Sequence, residues 1–189
     1  MLAISVALSE AKVYDHDFKY KKYYVSLLPW REESFYKEKT PWKKYTQKNI
    51  PDCIPAKSDS RFKNAIFRIK SFSPFVFHHL RLIDNISIDD IIRSLDPIRN
   101  LSMINELGVS GGRGDNVIST SWDKKILIKT ISHEEKKLFK QKMLKEYHCR
   151  MRDTKSLLCR IYGLFKIEVN DKGSIHVLLQ NIQVFHIWL

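Results

Sequence analysis

Asp123-Lys124-Lys125-Ile126-Leu127-Ile128-Lys129-Thr130-Ile131-Ser132-His133-Glu134-Glu135 joins a turn, an apolar strand and a helix start without a break. Strand alternation sends Ile126, Ile128 and Thr130 to one side, and Leu127, Lys129 and Ile131 to the other. Lys129 is then a charge in an otherwise apolar strand. An unpaired buried charge is costly, so an anion is expected beside it. Ser132 followed by Glu135 has the spacing of a capping box. The helix it opens, to about Met151, carries an apolar stripe of Leu138, Phe139, Met143, Leu144, Tyr147 and Met151.

Working upstream, Val117 to Thr120 reads as a strand, with Trp122, Asp123 and Lys124 as the turn before Lys125 to Ile131. Ahead of it, Gly108, Gly111, Gly112 and Gly114 supply four of the chain's 6 glycines. Glycines so clustered let backbone N–H groups approach a phosphate and allow positive φ. Ser87 before Ile88, Asp89, Asp90, Ile91, Ile92 and Leu95 reads as a short capped helix that Pro97 ends. Phe75, Phe77, Leu80 and Leu82 form a dense apolar stretch after Pro74. His78 and His79 are adjacent, point apart on any regular element, and are expected to be structural. Downstream, Leu157 to Val169 reads as a strand pair or one long bent strand. Asn170-Asp171-Lys172-Gly173 reads as a hairpin turn and Ile175 to Leu179 as the returning strand. The fold class expected is α+β: an antiparallel sheet with packed helices, the helix from Ser132 among them.

The 189 residues suit one domain or one domain with an extension. With hydrophobic residues at 43%, a real core is expected. No apolar run reaches the ~18 to 20 residues of a spanning helix. The 3 cysteines, Cys53, Cys149 and Cys159, lack a C-x-x-C spacing and read as reduced thiols, not as zinc ligands. Lys plus Arg number 33 against 21 acids, a net charge of +12, which favours polyanionic partners without choosing among them. Residues 1–60 mix aromatics with lysines, as in Tyr20-Lys21-Lys22-Tyr23-Tyr24 and Trp42-Lys43-Lys44-Tyr45, and read as a basic, aromatic extension and linker. Such a segment fits single-stranded nucleic acid or a membrane interface. It equally fits an extension whose aromatics pack on the next domain. Residues 61–189 form the globular part.

Glycine loop, lysine-bearing strand pair, glutamate-bearing helix and further antiparallel strands stand in the order of a kinase nucleotide-binding lobe. At the level of residues, the stretch from Ser73 to Leu179 resembles the first half of a phosphatidylinositol phosphate kinase domain. Pro74-Phe75-Val76-Phe77 with Leu80-Arg81, Ile88-Asp89-Asp90 to Ser94-Leu95, and Gly108-Val109-Ser110-Gly111-Gly112 resemble successive family segments. So do Asp123 to Ile131 with its Ile-Lys-Thr core, Ser156-Leu157-Leu158 with Ile161-Tyr162-Gly163-Leu164, and Ile175 to Asn181. The chain departs from the family after Ser110-Gly111, where aromatics give way to Gly112-Arg113-Gly114-Asp115.

The resemblance implies a kinase-like N-lobe and phosphorylation of phosphatidylinositol phosphates by ATP with magnesium. It implies ATP contacts from Gly108, Ser110, Gly111, Gly112 and Lys129, with Gln180 and Asn181 at the hinge. Glu135 is expected as the lysine's partner, with Glu134 the alternative; both could equally be first-turn acids favoured by the helix dipole. The family's catalytic and magnesium carboxylates have no counterpart here, so this chain is expected to be a fragment, the N-lobe without its C-lobe, and inactive alone. Expected partners are an anionic phosphoinositide membrane and a second copy or a separate catalytic lobe, at a cytoplasmic, membrane-peripheral location. The competing reading is a non-catalytic basic module for anionic membranes or a kinase partner. Nucleic acid ranks last, for want of a recognised motif.

Overall fold

The computed structural model describes residues 4, 36–37, 39, 43–45, 64, 66–100, 117–152, 156–169 and 173–182. The described strands are β1 (Lys43–Tyr45), β2 (Phe67–Ser71), β3 (Ile118–Thr120), β4 (Ile126–Ile131), β5 (Ile161–Val169) and β6 (Ser174–Asn181). They form one antiparallel sheet in the order β1-β2-β5-β6-β4-β3. Helices α1 (Pro74–Ile83) and α2 (Ile88–Ser94) precede β3. Between β4 and β5 in the chain come α3 (His133–Leu138), a π-helical turn (Phe139–Met143) and α4 (Leu144–Met151). The fold is α+β, as the sequence led us to expect.

Alternation along the strands gives the sheet two apolar faces. On the first, Phe67, Ile69, Ile126, Ile128, Phe165, Ile167, Val177 and Leu179 pack with Ile88, Ile91, Ile92 and Leu95 in and after α2. On the second, Phe72, Ile131, Ile161, Leu164 and Leu178 pack with Val76, Phe77 and Leu80 of α1 and with Leu144 and Met151 of α4. A register shift between Ile161 and Gly163 lets β5 serve both. The extra residue of a bulge reverses the alternation, so Ile161 joins Leu164 on the second face, while Tyr162 joins Phe165 on the first.

Local chemistry explains the helix starts. The Ser87 side chain accepts the Asp90 N–H at 3.0 Å and opens α2. Ser132 and Glu135 close the expected capping box on α3. Pro74 occupies the first turn of α1, where its missing N–H costs nothing. The sequence pattern there announced only apolar density, and the segment is a helix.

Two further differences have physical causes. The stretch from Ser132 to Met151 is not one regular helix, because the π turn adds residues to a single turn and rephases everything after it. Leu144 and Met151 are fully buried, whereas Leu138 and Met143 of the expected stripe are 50% exposed. In the region read as an extension, Lys43–Tyr45 pairs with β2, Lys39 bridges to Phe72, and the Tyr36 ring is buried against the second face.

Candidate functional site

Sheet register fixes what surrounds Lys129. Its Cα partners are Ile118 on β3 and Leu178 on β6. Directly opposed residues share a face, so Lys129 stands between Ile118 and Leu178 on the side covered by α1 and α4. The neighbouring row is Thr120, Leu127 and Gln180. Lys129 is half-buried, Leu178 is buried, and Ile118 is 42% exposed. The result is an apolar floor carrying one ammonium group, with exposed surface toward the β3 edge. The expected alternation of this strand is seen: Ile126 and Ile128 face one way into the core, and Lys129 faces the other.

The segment holding the glycine run leaves and re-enters the described structure at anchored points. Buried Asn100 donates its side-chain N–H to the Ser94 and Asp96 carbonyls at 2.9 and 2.7 Å, and its Oδ1 accepts the Trp122 N–H at 2.8 Å. Val117 donates its N–H to the Thr130 hydroxyl at 2.7 Å, and its carbonyl accepts the Thr130 N–H at 2.9 Å. Thr130 is next to Lys129, so the chain following the glycines is tied to the lysine's own strand. Gly108, Ser110, Gly111 and Gly112 themselves lie outside the described residues.

The turn between β3 and β4 is rigidly built. Asp123 accepts the hydroxyls of Ser94 and Ser121 at 2.7 and 2.6 Å, and Lys124 takes a left-handed φ of 57°. Lys125 extends from this turn with its ammonium 4.0 Å from Asp123.

The pairing expected between Lys129 and Glu135 is not formed. The Glu135 carboxylate accepts the Ser132 N–H at 2.7 Å and is occupied in capping the helix. Glu134 is exposed on the same first turn. The two hinge residues also part company: Gln180 shares Lys129's face, whereas Asn181, opposite Ile126, points to the other.

A second group of polar side chains, which no sequence pattern connects, lies where α1 meets α4. The Tyr36 hydroxyl and His148 Nδ1 are 3.1 Å apart, and His148 Nε2 and His79 Nδ1 are 2.9 Å apart. Burial holds both imidazoles down to about 4, with Arg152 and each ring's histidine neighbours adding to the effect. Only the proximity of three distant positions makes the group, and periodicity carries no trace of that.

The lysine-bearing face can hold an anion, and its ammonium would neutralise charge on a phosphate. Among the described residues, no cluster of three or more His, Cys, Asp or Glu is placed to hold a metal ion. No described helix is long and apolar enough to cross a membrane.

Residues 98–186 match the family model described as Phosphatidylinositol-4-phosphate 5-Kinase. Among curated proteins, the phosphatidylinositol 4-phosphate 5-kinase its3 of Schizosaccharomyces pombe is 29% identical over 115 residues, which cover 61% of this chain and 15% of that protein. The type-1 alpha phosphatidylinositol 4-phosphate 5-kinase of Homo sapiens is 29% identical over 119 residues, 61% of this chain and 20% of that protein. The type-2 gamma phosphatidylinositol 5-phosphate 4-kinase of Danio rerio is 24% identical over 144 residues, 70% of this chain and 33% of that protein. The chain thus spans a third or less of these relatives. Its six-stranded antiparallel sheet with packed helices is consistent with a kinase-like N-lobe over the matched span. Residues 98–186 therefore give this chain a family-level match to the phosphatidylinositol phosphate kinase domain, covering part of the chain only.

Proposed function

We propose that this chain supplies the nucleotide-binding lobe of a phosphoinositide kinase. The observation that carries the reading is Lys129, half-buried on the helix-covered face of β4, inside the span that matches the family. In this reading the ammonium of Lys129 neutralises phosphate charge. Backbone N–H groups of Gly108, Ser110, Gly111 and Gly112 cover the same phosphates, and Gln180, which shares the face of Lys129, meets the base. ATP with magnesium would supply the transferable phosphoryl group when bound. The phosphoryl acceptor is a phosphatidylinositol phosphate presented at an anionic membrane, which the net charge of +12 favours. The carboxylates that hold magnesium and orient the acceptor hydroxyl would come from a catalytic lobe, whether in the same protein or another copy.

Nucleotide titration of the chain tests the reading. Lys129→Met should weaken ATP binding and Lys125→Met should not. Equal effects would remove Lys129 from the phosphate site and the lobe assignment with it.

A further inference from the structure

The sheet register lines up a second row of basic side chains on the face that carries Lys129, but toward β2 and β5. Lys70 of β2 opposes Lys166 of β5, and Lys166 opposes His176 of β6. Directly opposed like charges destabilise a sheet. Above this row the α3 and π-turn segment adds two lysines over a single aromatic ring. The Lys136 and Lys140 ammoniums lie 5.5 and 5.2 Å from the Phe72 ring centroid. Lys39, bridged to Phe72 through the backbone, brings a fifth lysine to the same place. The His133 ring stands 5.5 Å from that of His176.

Among the described residues, the carboxylates nearby do not balance this charge, and the Lys140 ammonium donates its hydrogen bond to a neutral group, the Lys37 carbonyl, at 3.1 Å. Glu168, two positions along β5 from Lys166, is engaged by Arg68. Glu134 lies in the field of Lys136. Lys70 and Lys166 have other polar or electrostatic partners as well, yet their charge still reaches the helix lysines. Burial, and then the fields of Lys39, Lys136 and Lys70, lower the pKa of Lys140. Burial, and then the field of Lys166, lower that of Lys136, with Glu134 opposing. Burial together with Lys136, Lys166 and His133 brings His176 down to about 4. Five lysines converge from four separate parts of the chain onto one aromatic floor. That convergence favours a polyvalent anion, because one ligand would relieve several repulsions together.

We propose that Lys136 and Lys140, backed by Lys39, Lys70 and Lys166, form a binding site for an anion bearing several clustered phosphates, separate from the nucleotide site at Lys129. Phe72 supplies the floor, and the helix lysines reach the ligand. The shared chemistry is the phosphate cluster, carried either by a soluble polyphosphorylated polyol or by a lipid headgroup.

Two probes distinguish the sources: myo-inositol hexakisphosphate in solution, and phosphatidylcholine vesicles with or without a bisphosphorylated phosphatidylinositol. Both are titrated against the full chain at low salt. Lys136→Gln with Lys140→Gln should weaken binding of at least one probe by about tenfold or more. Lys142→Gln with Lys145→Gln removes the same charge from exposed positions of the same segment and should leave binding within about twofold. Lys136→Arg with Lys140→Arg keeps the charge and should keep the binding, which separates loss of the site from loss of the fold. A response to the soluble probe points to a free ligand, and a response to the vesicles alone points to a headgroup; either supports the site. Lys129→Met should weaken the binding less than the Lys136/Lys140 pair does. The proposal is overturned if neither probe binds, if the two Gln pairs lose binding equally, or if Lys129→Met abolishes binding while the Lys136/Lys140 pair does not.

Discussion

Ser132 and Glu135 cap each other: the Ser132 N–H reaches the Glu135 carboxylate at 2.7 Å, and the Glu135 N–H reaches the Ser132 hydroxyl at 3.1 Å. The same carboxylate cannot be assigned to Lys129 in this state. Its work is to satisfy a donor left over at the start of α3. Ser132→Ala should cost about 1 kcal/mol in chemical denaturation, in the range for a lost N-cap. Glu135→Gln keeps an acceptor at that position and should cost less than half as much. If Glu135→Gln is the more damaging of the two, the carboxylate has a charge partner that the cap does not explain.

Lys129 and Lys125 lie on one strand-and-turn unit but in different surroundings. Lys125 is exposed beside Asp123, whereas Lys129 is half-buried between Ile118 and Leu178. Each change to Met removes one positive charge, so long-range effects are matched. Lys129→Met should weaken ATP binding by about tenfold or more, the loss of one charge-assisted contact to phosphate, with Lys125→Met within about twofold. Met is apolar and unbranched, so the fold should persist, with unchanged far-UV circular dichroism for both variants.

The parts legible in the sequence were those set by local chemistry. The Ser87 and Ser132 caps, the alternation from Ile126 to Ile131 and the turn at Trp122 to Lys124 all depend on neighbours within a few residues. What escaped depends on distant contacts. Phe67–Ser71 is a central strand only because β1 and β5 flank it. The π turn at Phe139–Met143 shifted which residues face the core, and no spacing rule anticipates an inserted residue. For the site, Lys129 could be assigned to the correct face because strand alternation is strict. Glu135 could not be assigned, because its cap and its lysine partnership use the same carboxylate. The lysine cluster over Phe72 needed the register of three strands and the position of a helix, none of which a linear pattern encodes.

Acid should weaken the contact between α1 and α4. The folded state holds His79 and His148 down to about 4, chiefly by burial, whereas both would titrate near 6.5 in the unfolded chain. Below 6.5 the unfolded chain takes up protons that the folded one refuses, so stability falls between pH 6.5 and about 4 and is unaffected by these groups above that window. The melting temperature should therefore drop as pH falls through that range. His148→Phe removes one of the two groups and should flatten the drop, at the cost of the Tyr36 and His79 hydrogen bonds at neutral pH. An undiminished pH dependence in that variant would assign the effect to other groups.

Gly163, next to the bulge in β5, leaves room for a neighbouring ring. A Cβ at Gly163 would lie 2.4 and 2.6 Å from Cε2 and Cζ of Phe165, well inside van der Waals contact. The Phe165 ring folds back over this position and is buried in the first-face core with Phe67, Tyr162 and Ile167. It has little room to move, because close-packed cores resist added volume. Gly163→Ala should therefore destabilise the protein by roughly 1–3 kcal/mol, the usual cost of overpacking. Replacing Phe165 with Leu removes the clashing ring atoms but leaves a cavity, so it should be destabilising by itself. In the double variant the new methyl group occupies part of that space. The combined loss should be smaller than the sum of the single losses, a coupling of roughly 0.5–3 kcal/mol in a denaturation cycle. Strict additivity would mean that the ring is not what reserves position 163 for glycine, and that the requirement lies in the bulged backbone itself.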